Sequence, residues 1–142
     1  MNKTIKNLLN DLETAFAAFV QAAEALSPEK RRLVGGCGDW SPKDVVAHLV
    51  GWDESMKTLI VAPEQFEPPY DVHRFNAQSV ASRADKSWDE VCAEMNVNFQ
   101  ELGHALATVT PEQRIYPRIV DWLPGRKADY ELHSRQLQTW LI

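Results

Sequence analysis

Two histidines and a carboxylate carry the strongest chemical signal in the chain. His133 stands four residues after Asp129, so on a helix both side chains project from one face. It also lies three residues after Tyr130 and four before Leu137, inside an apolar stripe. His48 sits beside Leu49 and one turn before Trp52, at the edge of a second stripe. A carboxylate and an imidazole at i, i+4, opposite an inward histidine of another helix, is how bundle cores assemble metal sites. Two readings of this spacing stand side by side. Either the three residues ligate a metal, or the histidines are hydrogen-bonded core residues and Asp129 favours the start of its helix through the dipole. Asp44, also four residues from His48, has the same second reading as a helix cap.

The remaining candidates are weaker. His104 falls off the stripe of Met95, Phe99, Leu102 and Leu106, which predicts a solvated side chain, and His73 near the start of a short helix fits either orientation. Cys37, in Gly35-Gly36-Cys37-Gly38, is expected in a flexible, exposed loop with no adjacent cation or histidine to depress its pKa. Cys92 reads as a small buried hydrophobe. No glycine loop suited to cradling phosphate feeds a helix, and there is no nucleophile elbow.

The elements that must hold these residues are helical. Ile5, Leu8, Leu9, Leu12, Phe16, Phe19, Val20, Ala23 and Leu26 follow the i, i+3, i+4, i+7 spacing of an amphipathic helix, which Ser27-Pro28 ends. Lys30 to Asp39, with three glycines, reads as loop. Ser41, Pro42 and Asp44 then supply a cap, a first-turn proline and a near capping box for a helix striped by Val45, Leu49, Trp52, Met56 and Leu59. Three prolines make Ala62 to Tyr70 a loop. A weaker helix is predicted from about Asp71 to Arg83, with Val72, Phe75 and Val80 inward. Ser87 and Glu90 form a second capping box ahead of the Val91–Leu106 stripe. Thr110-Pro111 stops that helix, and Pro117 and Pro124 predict a connecting stretch to Gly125. The last helix is expected from about Arg126 to the end, with Tyr130, Leu137, Trp140 and Leu141 inward. Strand-like alternation is confined to Ile115–Val120, which Pro117 interrupts. The fold class expected is therefore all-α: four long helices in a bundle plus one short helix.

Composition bounds the function. The 142 residues contain 15 Lys+Arg against 20 Asp+Glu, a net charge of -5, and 44% hydrophobic residues. One domain spanning residues 1–142 is the expectation, large enough to fold without disulfides or structural metal. The charge argues against a nucleic-acid partner, because the one dense basic run, Lys30-Arg31-Arg32, is short. No apolar stretch approaches the roughly 18 residues of a membrane span. Two cysteines without CxxC spacing, and no secretory signal, point to a reduced cytoplasmic protein.

The stretch from Gly38 to Trp52, Gly-Asp-Trp-Ser-Pro-Lys-Asp-Val-Val-Ala-His-Leu-Val-Gly-Trp, resembles the W-S-x-x-D-x-x-x-H-L-x-x-W signature of the DinB/YfiT-like four-helix bundles. That family includes mycothiol-dependent maleylpyruvate isomerase and the ClbS/DfsB-type proteins. The resemblance extends to the first helix, a Phe75-Asn76 pair and the terminal helix. It implies one divalent metal, held here by His48, Asp129 and His133, with an aspartate where the isomerase branch has the longer glutamate. It offers Asn76, Tyr130 and Trp52 as substrate-binding residues, Tyr130 having a core role as the alternative. The implied function is metal-dependent thiol transfer or isomerisation on a small electrophile. Two histidines and a carboxylate leave coordination open, and a dication would ionise a low-molecular-weight thiol there. Zinc or nickel suits the ligands, and a homodimer is expected. The ClbS/DfsB side implies a different class: a metal-free bundle that binds or hydrolyses a reactive small molecule, with Trp40, Trp52 and Trp122 lining an apolar pocket. A non-catalytic interaction module is a third.

Overall fold

The computed structural model describes residues 1–140, and five α-helices dominate it. They are α1 (Lys3–Glu24), α2 (Pro42–Val61), α3 (Val72–Ala81), α4 (Trp88–Leu106) and α5 (Tyr116–Trp140). Among the described residues there is no β-strand, only an isolated bridge between Cys37 and Trp40. None of these helices is long and apolar enough to cross a membrane.

The helix starts follow from their caps. Asn2 accepts the Ile5 N–H at 3.1 Å and opens α1. Asp44 N–H donates to Ser41 Oγ at 3.2 Å while Ser41 N–H donates to Asp44 Oδ2 at 3.1 Å. Ser87 and Glu90 repeat the reciprocal pair at the start of α4. Both capping boxes expected from the sequence are thus built, each satisfying amides that the helix leaves free.

Side-chain bonds between helices set the topology. Tyr116 donates to Asn2 Oδ1 at 3.1 Å at one end, and Trp140 Nε1 donates to the Lys30 carbonyl at 3.1 Å at the other, so α1 and α5 run parallel. Lys43 reaches the Ala84 carbonyl and Lys57 reaches Glu101, so α2 and α4 also run parallel. His48 meets Asp129 and Asp53 meets Arg126, an opposed order that makes α2 and α5 antiparallel. The four long helices therefore run up, down, down, up, and the α2-to-α4 return carries α3 along the bundle. Packing is densest between α1 and α5 and between α2 and α4.

The core is aromatic where the two pairs meet. Phe16 of α1 stacks on Phe99 of α4 with ring centres 3.8 Å apart, and Tyr130 of α5 sits edge-on to Phe16, Phe19 and Phe99. Leu12, Leu49, Met56, Leu102, Leu123 and Leu137 are fully enclosed around them, each such side chain contributing about 1.5–3 kcal/mol by leaving water.

Four expectations need correction. First, α5 begins at Tyr116, ten residues before Arg126. Pro117 occupies its first turn, where a missing N–H breaks no helical bond, and Pro124 lies inside it with its side chain exposed. Ile119 and Leu123 extend the buried stripe across that proline, so packing outweighs its helix-breaking cost. Second, Val72 is 48% exposed. The short α3 instead meets α2 through Phe75, Asn76 and Ser79. Third, Cys37 is buried, because positive φ at Gly38 (66°) turns the loop back and the Trp40 N–H closes onto the Cys37 carbonyl. Fourth, Cys92 is half-buried. Trp140 is also half-buried, against the loop at Gly36, and Leu141 lies outside the described residues.

Candidate metal centre

The Ser41–Asp44 cap and the apolar face of α2 fix where His48 emerges, and the side chain is almost enclosed. Asp44 is consumed by the cap, so its second reading is the correct one. Across the antiparallel seam, α5 presents Asp129 and His133 one turn apart. Asp129 Oδ1 lies 3.3 Å from His48 Nε2 and 3.2 Å from His133 Nε2, and the three ligating atoms lie within 4.8 Å of one another. Asp129 alone of the three has appreciable exposure, its side chain being 20% accessible. The early part of α2 and the later part of α5 thus deliver two imidazole nitrogens and one carboxylate oxygen to one point.

The tautomer of His48 follows from its neighbours. The indole N–H of Trp52, a donor only, gives a 2.7 Å bond to Asn76 Oδ1. That orients the amide, so His48 Nδ1, 3.0 Å from the same oxygen, must be the donor. His133 Nδ1 lies 2.7 Å from Gln136 Oε1 and is arranged alike. Both rings therefore turn Nε2 toward Asp129, each backed by a side-chain amide, the outer support that metal-bound histidines require. A dication held at roughly 2.0–2.2 Å by each ligand fits donors spaced at about 3–3.5 Å, and the two nitrogen–oxygen separations here meet that spacing. Two imidazole nitrogens and a carboxylate oxygen are a donor set that fits a metal.

A charged network that sequence reasoning missed lies behind Asp129. Arg126, buried, donates from Nε to Asp53 Oδ1 at 2.7 Å, from Nη1 to Asp129 Oδ2 at 2.7 Å and from Nη2 to the Leu49 carbonyl at 3.4 Å. Tyr130 donates a hydrogen bond to Asp53 Oδ2. The signal was available: Asp53 interrupts the Leu49–Met56 stripe and Arg126 continues the Leu123–Tyr130 one, and a charge at a core position demands a buried partner. Burial pushes the Asp129 pKa up, but the adjoining His133 and His48 imidazoles and the Arg126 charge outweigh it and hold the carboxyl well below its ordinary range. Burial and Asp53 push the Tyr130 phenol well above its ordinary value, which keeps it a donor.

The other sequence candidates separate clearly. Asn76 is brought to the centre, where it grips His48 and Trp52. Tyr130 has no exposed surface, and its hydroxyl belongs to Asp53. Trp52 forms an edge-on pair with Trp122, and the two line a groove of about 430 Å³ with Pro68, Pro69, Tyr70, Arg118 and Asp121. Trp40 does not join them but lies over His48, ring centres 4.8 Å apart. His104 and His73 are exposed.

Fold and site together define an α-helical bundle with a candidate two-histidine, one-carboxylate centre between its second and last helices. Residues 9–141 match the mycothiol maleylpyruvate isomerase N-terminal domain, and the chain belongs to that DinB/YfiT-like family. The crystal structure of an uncharacterised protein from Escherichia coli UTI89 is similar over 99% of this chain and 94% of that one, with a TM-score of 0.82 and 15% identity, a likeness of fold. Comparison with curated proteins gives no match.

Proposed function

We propose that the protein is a metal-dependent thiol S-transferase or isomerase acting on a small electrophile, with zinc or nickel held by His48, Asp129 and His133. The observation that carries this reading is the convergence of two Nε2 atoms on the Asp129 carboxylate while both Nδ1 atoms face amide oxygens. A bound dication would supply Lewis acidity and hold a low-molecular-weight thiol in its nucleophilic thiolate form. The chain's own residues position and shield. Asn76 and Gln136 set the imidazoles, and Trp40 covers one side of His48. The groove beside Trp52 offers an apolar surface to the body of the electrophile, one helical turn from His48 along α2. Tyr130 supports the site through Asp53 instead of touching substrate.

The test is metal content of tag-free protein by elemental mass spectrometry, beside His48→Ala and His133→Ala. About one zinc or nickel per chain, lost in both variants, is expected; stoichiometric metal in both would reject the ligand assignment. Activity should then require added thiol and vanish with chelator. A metal-free binding or hydrolytic bundle draws on one observation, that Arg126 already supplies Asp129 with a charge partner. Turnover needing neither thiol nor metal would favour it. The family resemblance further supports a homodimer in the cytoplasm, and a monomer mass at every concentration would overturn the dimer.

A further inference from the structure

The two oxygens of Asp129 share His48 Nε2 as a neighbour, but only Oδ1 also faces His133 and only Oδ2 also meets Arg126. Oδ1 stands between the imidazoles, 3.3 Å from His48 Nε2 and 3.2 Å from His133 Nε2. Oδ2 accepts from Arg126 Nη1 at 2.7 Å, besides its 3.0 Å approach to His48. Arg126 cannot swing away from this contact. Its Nε is tied to Asp53, Nη2 leans on the Leu49 carbonyl, and the side chain is 3% exposed. Asp53 is itself enclosed and anchored by Tyr130. With Nε and Nη2 both held inside the bundle, the planar guanidinium keeps Nη1 facing Oδ2.

We infer that Arg126 is a positioning residue that makes Asp129 a one-oxygen ligand, reserving Oδ2 for itself and leaving only Oδ1 for the metal. This rests on the metal reading above and adds a consequence to it. An aspartate free of Arg126 can turn both oxygens to a dication and fill a further coordination position. Held by Arg126, it leaves that position for an incoming thiol or electrophile. Arg126 acts only through Asp129, since its burial keeps it from any ligand. The cost is a cation beside the site, and Asp53 offsets it: the buried pair is neutral, so Asp129 keeps its charge for the metal.

Cobalt(II) reports this directly, because its visible absorption weakens as coordination number rises. Arg126→Gln alone would strand Asp53 as an unpaired buried charge, so the test variant is the doubly neutral Asp53→Asn/Arg126→Gln. Wild-type protein and the variant should each bind one cobalt, with weaker visible absorption in the variant as the second oxygen joins. Arg126→Lys, which keeps one donor on Oδ2, should restore the wild-type spectrum. Identical spectra in wild type and double variant at one cobalt each would overturn the inference. Failure of wild type to bind cobalt would instead remove the metal reading beneath it. A measurement independent of the variants' folding uses wild-type protein with and without zinc. The carboxylate bands that shift on zinc binding should show the wide splitting of one-oxygen ligation; a narrow, two-oxygen splitting would overturn it.

Discussion

A single side-chain oxygen, Oδ1 of Asn76, holds the imidazole of His48 and the indole of Trp52 together. Removing it leaves two N–H donors without a partner and frees the imidazole to rotate or change tautomer. Asn76→Leu should therefore weaken zinc binding by about 10–100-fold and destabilise the metal-free fold by about 1–3 kcal/mol. Asn76→Asp keeps an acceptor in place and should stay within a few-fold of wild type. Calorimetric titration with zinc decides it, and wild-type affinity in Asn76→Leu would show that the amide only fills space. The thiols behave oppositely to what a glycine-rich loop suggests. Burial raises the Cys37 pKa, and burial together with Asp89 pushes Cys92 up to about 11. At pH 8 a chromogenic disulfide reagent should react with neither thiol quickly in native protein and with both on unfolding. Rapid native reaction at Cys37 would show that the loop opens. The ligands themselves were legible from spacing and the signature around His48. Of their supports, Asn76 is offered by the resemblance for substrate instead, Arg126 shows only as a charge within an apolar stripe, and Gln136 carries no local signal at all.

Between helices, the decisive contact is made by an absent side chain. A Cβ on Gly51 would lie 2.1 Å from Ser79 Oγ and 2.7 Å from Ser79 Cβ, so only glycine lets α3 settle this close to α2. That approach is what brings Asn76 to His48. Gly51→Ala should cost about 1–3 kcal/mol despite alanine's better helix propensity, and should loosen metal binding through Asn76. Ser79→Ala would not relieve the clash with Cβ, whereas Ser79→Gly would, so Gly51→Ala/Ser79→Gly should recover both. Denaturant melts and zinc titrations on the three variants check this, and a harmless Gly51→Ala would mean that α3 adjusts freely. The other anchor of α3 is electrostatic. Arg83, buried just past its end, donates to Glu94 of α4 at 3.1 Å, and Lys86 adds a second bond. Burial would raise the Glu94 pKa, but these two bonds and their charges prevail and lower it. A depressed carboxylate stabilises above its unfolded pKa of about 4.3 and loses that contribution as pH falls through the folded value. Glu94→Gln should thus cost about 1 kcal/mol at pH 7 and progressively less below pH 4, a trend that denaturation at pH 7, 5, 4 and 3 would show. A cost independent of pH would assign Glu94 a packing role. The stripes of α1, α2 and α4 were readable, and so were the starts of α2 and α4, because Ser41 and Ser87 each open a capping box. The first ten residues of α5 were hidden behind Pro117 and Pro124, whose local meaning is overridden by burial of Ile119 and Leu123 against the bundle.

The whole molecule places its candidate ligands on helices that are distant in sequence, 81 residues separating His48 from Asp129. Helical class was written in the stripes, but the up-down-down-up order was not, because no stripe says which neighbour it faces. That order makes α2 and α5 antiparallel and so brings the early part of one against the late part of the other. A metal joining them binds the folded chain and not the unfolded one, in which the three ligands have no fixed relation. Free zinc at 100 times its dissociation constant should then add about 2.7 kcal/mol to stability. For a chain of 142 residues that corresponds to a rise in melting temperature of about 10 °C. The rise should be reversed by chelator and absent from His133→Ala, whose metal-free melting temperature should stay close to wild type. The control matters because the chain carries a net charge of -5 and surface carboxylates attract cations without a built site. An equal rise in His133→Ala would locate the stabilising zinc on that surface. A rise in wild type alone would mean that the cation clamps α2 to α5, coupling the bundle's stability to the centre through which its chemistry would run.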